Sequence, residues 1–232
     1  MRSPMRYLVT TVLAMHLASP SCAPAAEATL APGSPVSRWS IKTSVPAGAN
    51  LSKTGILIPL DQFLELKPAA ENRSSEFQDK RYPRVYGAPA GEGDIVCTQG
   101  YLRLVAQEDD GDFHIQLTTQ PDNFDNCLVV EVPMDEKTFV ADFPEVLSAA
   151  KTVRQFVVSN LLAGATPKPG SVHVIKGQAY VEVTGQLFFD SEHQAAMSKG
   201  IFRGKSIGGI RLPSKTSWEI HPITAMRFVK PN

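Results

Sequence analysis

Two strand-patterned runs, 95–107 and 112–118, flank Glu108-Asp109-Asp110-Gly111. Asp-Gly between such runs is a strong hairpin signal, because both residues tolerate the positive φ of a turn whose twist matches the flanking strands. In the second run Phe113, Ile115 and Leu117 alternate with Asp112, His114 and Gln116, so one face is apolar and the other polar. A third strand is predicted over 127–133. A helix follows: Asp142 is placed to cap it and Pro144 stands in its first turn. Val146, Leu147, Ala150, Val153, Val157 and Leu161 then recur near a 3.6 period until Gly164 stops it. Segments 172–175 and 179–190 read as two halves of a fourth strand region, and 217–229 as a last strand behind a basic loop over 191–215. Three strands, a helix and two strands is the element order of an OB-fold. The expected fold class is therefore mainly β, an OB-fold-like five-stranded barrel with one helix between the third and fourth strands.

The N-terminus predicts export. Arg2 and Arg6 precede an apolar stretch, small residues follow, and Ala23-Pro24-Ala25 fits a cleavage site, so 1–25 reads as a signal peptide. Lipidation at Cys22 is the rival, weakened by Ser19-Pro20-Ser21 in place of a lipobox. The expected location is periplasmic or secreted. No later apolar run reaches the roughly 18 residues of a membrane span, so no transmembrane segment is expected after signal removal. Outside the cytoplasm the remaining pair, Cys97 and Cys127, is expected to form a disulfide. Residues 26–93 read as a Pro/Gly-rich extension or linker with a short ordered element at 55–66, and 94–232 as the barrel domain.

Three short motifs concentrate ionisable groups: Asp112-Phe113-His114, Asp190-Ser191-Glu192-His193 and Glu219-Ile220-His221-Pro222. In the first and third the carboxylate and histidine are two apart, which on a strand puts both on one face. A divalent metal ion held by His114, His193 and His221, with carboxylates fixing the imidazole tautomers, is one reading. Acid–base catalysis by Asp112, His114, Asp190, His193, Glu219 and His221 is a second. Local hydrogen bonds that tie strand ends and loops are a third. No H-E-x-x-H, G-x-S-x-G or phosphate-binding glycine signature accompanies them. His173, between Val172 and Val174, reads as a surface residue.

The runs VTGQLFFDSEH and SWEIHPITAM resemble a group of uncharacterised secreted bacterial proteins whose last half carries F-F-D-x-E-H and W-E-I-H-P-[VI]-T-A strands. GDFHIQL and CLVVEVP resemble their earlier strands, so the likeness covers roughly 96–229. The loop over 200–215 departs from the group's pattern. The resemblance implies export and a compact β-domain. It implies no reaction.

Lys plus Arg and Asp plus Glu both number 23, which excludes a generally basic nucleic-acid packager. The distribution is uneven. Residues 91–142 hold 12 acidic side chains against two basic ones, a net of −10, while 193–232 hold seven basic against one acidic, a net of +6. Lys199, Arg203, Lys205, Arg211 and Lys215 lie in the loop before the last strand. They are placed either to grip a polyanion or to pair with the acidic hairpin. Trp218 beside them either packs over a barrel end or offers a stacking platform for a base or sugar. The expected function is an exported OB-like binding or interaction module whose ligand the sequence does not name, a polyanion and an oligosaccharide being the candidates. The alternative is a metal-dependent hydrolase, of phosphodiesters for example, built from the Asp/His/Glu motifs. A purely structural envelope component is the third reading.

Overall fold

A computed structural model describes residues 38–231, apart from 47, 52–53, 70–76, 78, 86, 137–139, 141–142 and 202. The expected signal peptide, Cys22 and the Asp142 cap lie outside the described residues. Within them the chain forms α1 (Trp39–Lys42), β1 (Ile56–Leu57), α2 (Leu60–Leu64), β2 (Ile95–Gln107), β3 (Phe113–Thr118), β4 (Leu128–Val132) and α3 (Pro144–Leu161). There follow β5 (Val172–Val174), β6 (Tyr180–Phe189), α4 (Ser191–Met197), β7 (Gly204–Ile207), β8 (Ile210–Pro213) and β9 (Trp218–Phe228).

Five of these strands close on themselves. β2 pairs antiparallel with β3, β3 with β4, β4 parallel with β9, and β9 antiparallel with β6, which returns antiparallel to β2. That is the OB-type barrel, with α3 between its third and fourth strands. Alternation decides what goes inside: Phe113, Ile115, Leu117, Leu128, Val130, Val183, Leu187 and Ile220 share one buried cluster. α3 adds Ala150, Val153 and Val157 to that cluster. Phe143 holds the N-cap position, with no side-chain cap and Pro144 at the first turn. The helix stops where expected, as Ala163 and Gly164 turn to positive φ and the Gly164 N–H reaches the Val158 carbonyl at 2.8 Å.

The fourth strand region is two separate strands on one edge of β2. β6 pairs with its first half and β5 with its second. The basic loop is also more ordered than expected, since it carries α4 and the β7–β8 hairpin.

The Cys97–Cys127 bridge expected from the sequence is not formed. Both residues are buried free thiols. Cys97 Sγ lies against the Gly55 carbonyl, and Cys127 Sγ accepts from Gln116 Nε2. Cys97 sits on β2 between β1 and β6, whereas Cys127 precedes β4, so barrel closure gives each a different neighbourhood. Burial pushes the Cys127 thiol up to about 12, which keeps it protonated and inert.

Gly185 permits the β6–β9 pairing to shift register on both of its sides. A Cβ at this position would fall on the Pro222 carbonyl oxygen and the Ile220 side chain. Gly185→Ala is expected to cost about 1–3 kcal/mol, the usual range for overpacking. Urea denaturation measures it, and an unchanged midpoint would show that the strands have room.

The extension before the barrel docks more fully than its composition suggests. Ile58, Leu60 and Phe63 bury into the main cluster as the ordered element at 55–66 predicts. Residues 38–45, read from composition as linker, pack as well: Arg38, Ile41, Thr43 and Val45 are buried. Val45 joins Val140 and Val146 in a small second cluster. No helix among the described residues is long and apolar enough to cross a membrane.

Candidate functional site

The outward side chains of β3, β4 and β9 are mostly polar: His114 and Gln116, then Glu131 beside Val129, then Glu219 and His221. An antiparallel sheet commonly leaves such a face to water. Here every residue of β3 and β4 is buried, as are the first six of β9. What covers the face includes the α1 segment. The Lys42 carbonyl accepts from His221 Nδ1 at 2.8 Å, and the Ile41 carbonyl accepts from Gln186 Nε2 at 3.4 Å. On the other side, the Lys205 N–H donates to Gln116 Oε1 at 2.7 Å and Leu212 is buried.

Two of the three motifs meet directly. Asp112 Oδ2 lies 3.2 Å from His221 Nε2. Register places His114 opposite Glu131, whose Oε1 lies 3.0 Å from His114 Nδ1. Lys42 reaches into the group, its Nζ 3.1 Å from both Asp112 and Glu131 and 3.6 Å from Asp110. Glu108 faces His114 at 3.3 Å and takes Lys205 Nζ at 2.7 Å. Burial opposes the Lys42 charge, yet Glu131, Asp112 and Asp110 hold its ammonium well above the usual lysine value. Burial alone would raise Glu131 and Asp112. Lys42 and the neighbouring histidines outweigh it and hold both carboxyls down, Glu131 the more so.

The third motif enters through an arginine. Asp190 caps α4, accepting the N–H groups of Glu192 and His193, and pairs with the His193 ring. Arg203, buried, bridges Asp190 at 3.4 Å and contacts Glu219 on β9. Burial and the charge of Glu131 push the Glu219 carboxyl well above its ordinary value, against the pull of Arg203. The hydrogen bonds of the His193 ring and the charge of Arg203 hold Asp190 low despite its burial.

Several expected roles change. The metal set of His114, His193 and His221 does not assemble. His193 pairs with Asp190 on half-exposed α4, and the two donor groups among the described residues are Glu108, His114 and Glu131, and Asp112, Glu131 and His221. Trp218 is not a stacking platform. It is 2% exposed, packs against Phe189 and donates its indole N–H to the Lys67 carbonyl at 2.7 Å. Of the basic loop, Lys205 pairs with Glu108 of the acidic hairpin as the alternative had it, while Arg203 pairs with Glu219 on β9 and Lys215 with Glu65 before the barrel. Lys199 and Arg211 are exposed. His173 is half-buried, with Ser171 Oγ at 3.3 Å.

Sequence reasoning passed over Lys42, Glu131, Glu108 and Asp110. Glu131 did leave a signal, a lone carboxylate at the polar period of an apolar strand. Lys42 left none, because it comes from a segment with no periodic pattern. No family model, curated protein or solved structure matches the chain.

Proposed function

We propose that the chain is an exported OB-type binding module whose ligand surface is the half-exposed rim of the polar face of β3, β4 and β9, at Glu108 and Lys205. The observation that carries this reading is the position of the polar cluster. It lies outside the sealed interior, between the β2–β3 turn and the β6–β9 excursion, the loops with which OB barrels contact oligonucleotides and oligosaccharides. The commitment of Arg203, Lys205 and Lys215 to carboxylates favours an oligosaccharide over a polyanion. A metal-dependent hydrolase is the second reading. It draws on Glu219, pushed up, beside Glu131, held down, the split that acid–base chemistry uses. Both carboxylates are buried, which keeps substrate from them and leaves the half-exposed rim at Glu108 and Lys205 as the surface a ligand can reach.

Thermal-shift screening against glycans, cell-wall fragments and oligonucleotides tests the proposal. A melting-temperature rise with a glycan, reduced in Glu108→Ala and Lys205→Ala, is the expected result. No shift with any class would overturn it.

A further inference from the structure

His221 makes two contacts that a neutral ring and a bare carboxylate do not jointly satisfy. The Lys42 carbonyl can only accept, so Nδ1 carries a proton and donates it. Nε2 of the same ring then faces Asp112 Oδ2 at 3.2 Å and Glu131 Oε2 at 3.9 Å, and both of these also only accept. Lys42 Nζ, 3.1 Å from each of these two oxygens, is the positive centre that the structure places beside them. One ring N–H given to a backbone carbonyl, with the other nitrogen turned to carboxylates, is the arrangement that fixes a metal-ligating histidine.

We propose that Asp112, Glu131 and His221 form a binding site for a divalent cation of the zinc type, at the place Lys42 Nζ now takes. Their donor atoms lie within 4.8 Å of one another. Ligands about 2.0–2.1 Å from a tetrahedral zinc stand roughly 3.3–3.4 Å apart, which the two separations from His221, 3.2 and 3.9 Å, approach. Lys42 Nζ meets the same two oxygens, Asp112 Oδ2 and Glu131 Oε2, each at 3.1 Å, and so behaves as a built-in cation. Beside the site, His114 Nε2 is buried without a hydrogen-bond partner in a residue 4% exposed.

The site does not depend on the oligosaccharide reading. Zinc uptake without a glycan shift removes only that reading, and a glycan shift that persists in chelator without zinc uptake removes only the metal site.

The test is calorimetric titration of zinc chloride into the chelator-treated full chain, with bound metal counted after gel filtration. One zinc per chain is expected, unchanged in His173→Ala. Glu131→Gln and His221→Ala are expected to weaken binding by more than about 100-fold, since loss of an outer-shell partner alone costs about 10–100-fold. Lys42→Met keeps the backbone carbonyl that orients His221 and removes the competing ammonium, so it should bind zinc more tightly than the native chain. The zinc count on the native chain remains decisive if any of these variants fails to fold. No zinc on either the native chain or Lys42→Met, undiminished uptake in Glu131→Gln and His221→Ala, or no tightening in Lys42→Met would each overturn the proposal.

Discussion

Replacing Arg38 with alanine is expected to lower the unfolding free energy by about 3–5 kcal/mol, the cost of stranding one member of a buried ion pair. Arg38 is 2% exposed and uses all five of its N–H groups. Two go to Glu92 at 2.7 and 2.8 Å, and three to the carbonyls of Phe77, Lys80 and Phe189 at 2.7–2.8 Å. Its guanidinium also lies 4.5 Å from the centre of the Tyr82 ring. Glu92 in turn accepts the N–H groups of Tyr82 and Phe189, so it cannot turn away when its partner is lost. Arg38 immediately precedes α1, which carries Lys42. The same substitution should therefore free the α1 segment and open the polar face to solvent. At roughly 2–4 °C per kcal/mol for a chain of this size, calorimetry would read the loss directly. A decrease under about 1 kcal/mol would mean that the ion pair does not hold the segment.

Arg203→Met is expected to cost a similar amount, about 3–5 kcal/mol at neutral pH, for the same reason. Its pH dependence identifies the cause. Burial and Glu131 already raise the Glu219 carboxyl, and Arg203 is the chief group that lowers it. A raised folded-state pKa gives stability that is full below the unfolded value and lost as pH rises through the folded value. Without Arg203 that loss deepens above the ordinary glutamate value of 4.5 and recedes on acidification. The gap between variant and native chain should therefore be smallest near the ordinary glutamate value of 4.5 and widen as pH rises through the raised Glu219 value of the native chain. The native chain itself runs the other way. Asp112, Glu131 and Asp190 are held low, so the stability they contribute is present above the ordinary carboxylate range and lost as pH falls through their depressed values. Urea denaturation of both proteins across a pH series above 4.5 measures this, and a gap that widens on acidification would reject Glu219 as the stranded charge.

The barrel was legible because its signals are local. The Asp110-Gly111 turn, the alternation over Phe113, Ile115 and Leu117, and the 3.6-residue recurrence ended by Gly164 each report on neighbours a few residues away, and all three hold in the fold. The order of those elements then restricts closure to few arrangements. Two of the polar motifs were legible for the same reason, since a period of two puts Asp112 with His114, and Glu219 with His221, on one side of a strand.

What joins the motifs is not local. Asp112 meets His221 because the third barrel strand runs parallel to the fifth, a pairing between segments about 90 residues apart in sequence. Glu131 becomes central only once its register opposite His114 exists. The disulfide expectation failed on the same ground: an even cysteine pair states a composition, and closure separates its members. Lys42 and Arg38 come from a stretch without periodicity, where order is imposed by partners on β6, β9 and the β2–β3 turn. The sequence by itself determined a five-stranded barrel with a polar outer strand face. The tertiary structure decided that this face is buried under the chain's own N-terminal segment, because each of its charges finds its opposite only across long-range contacts.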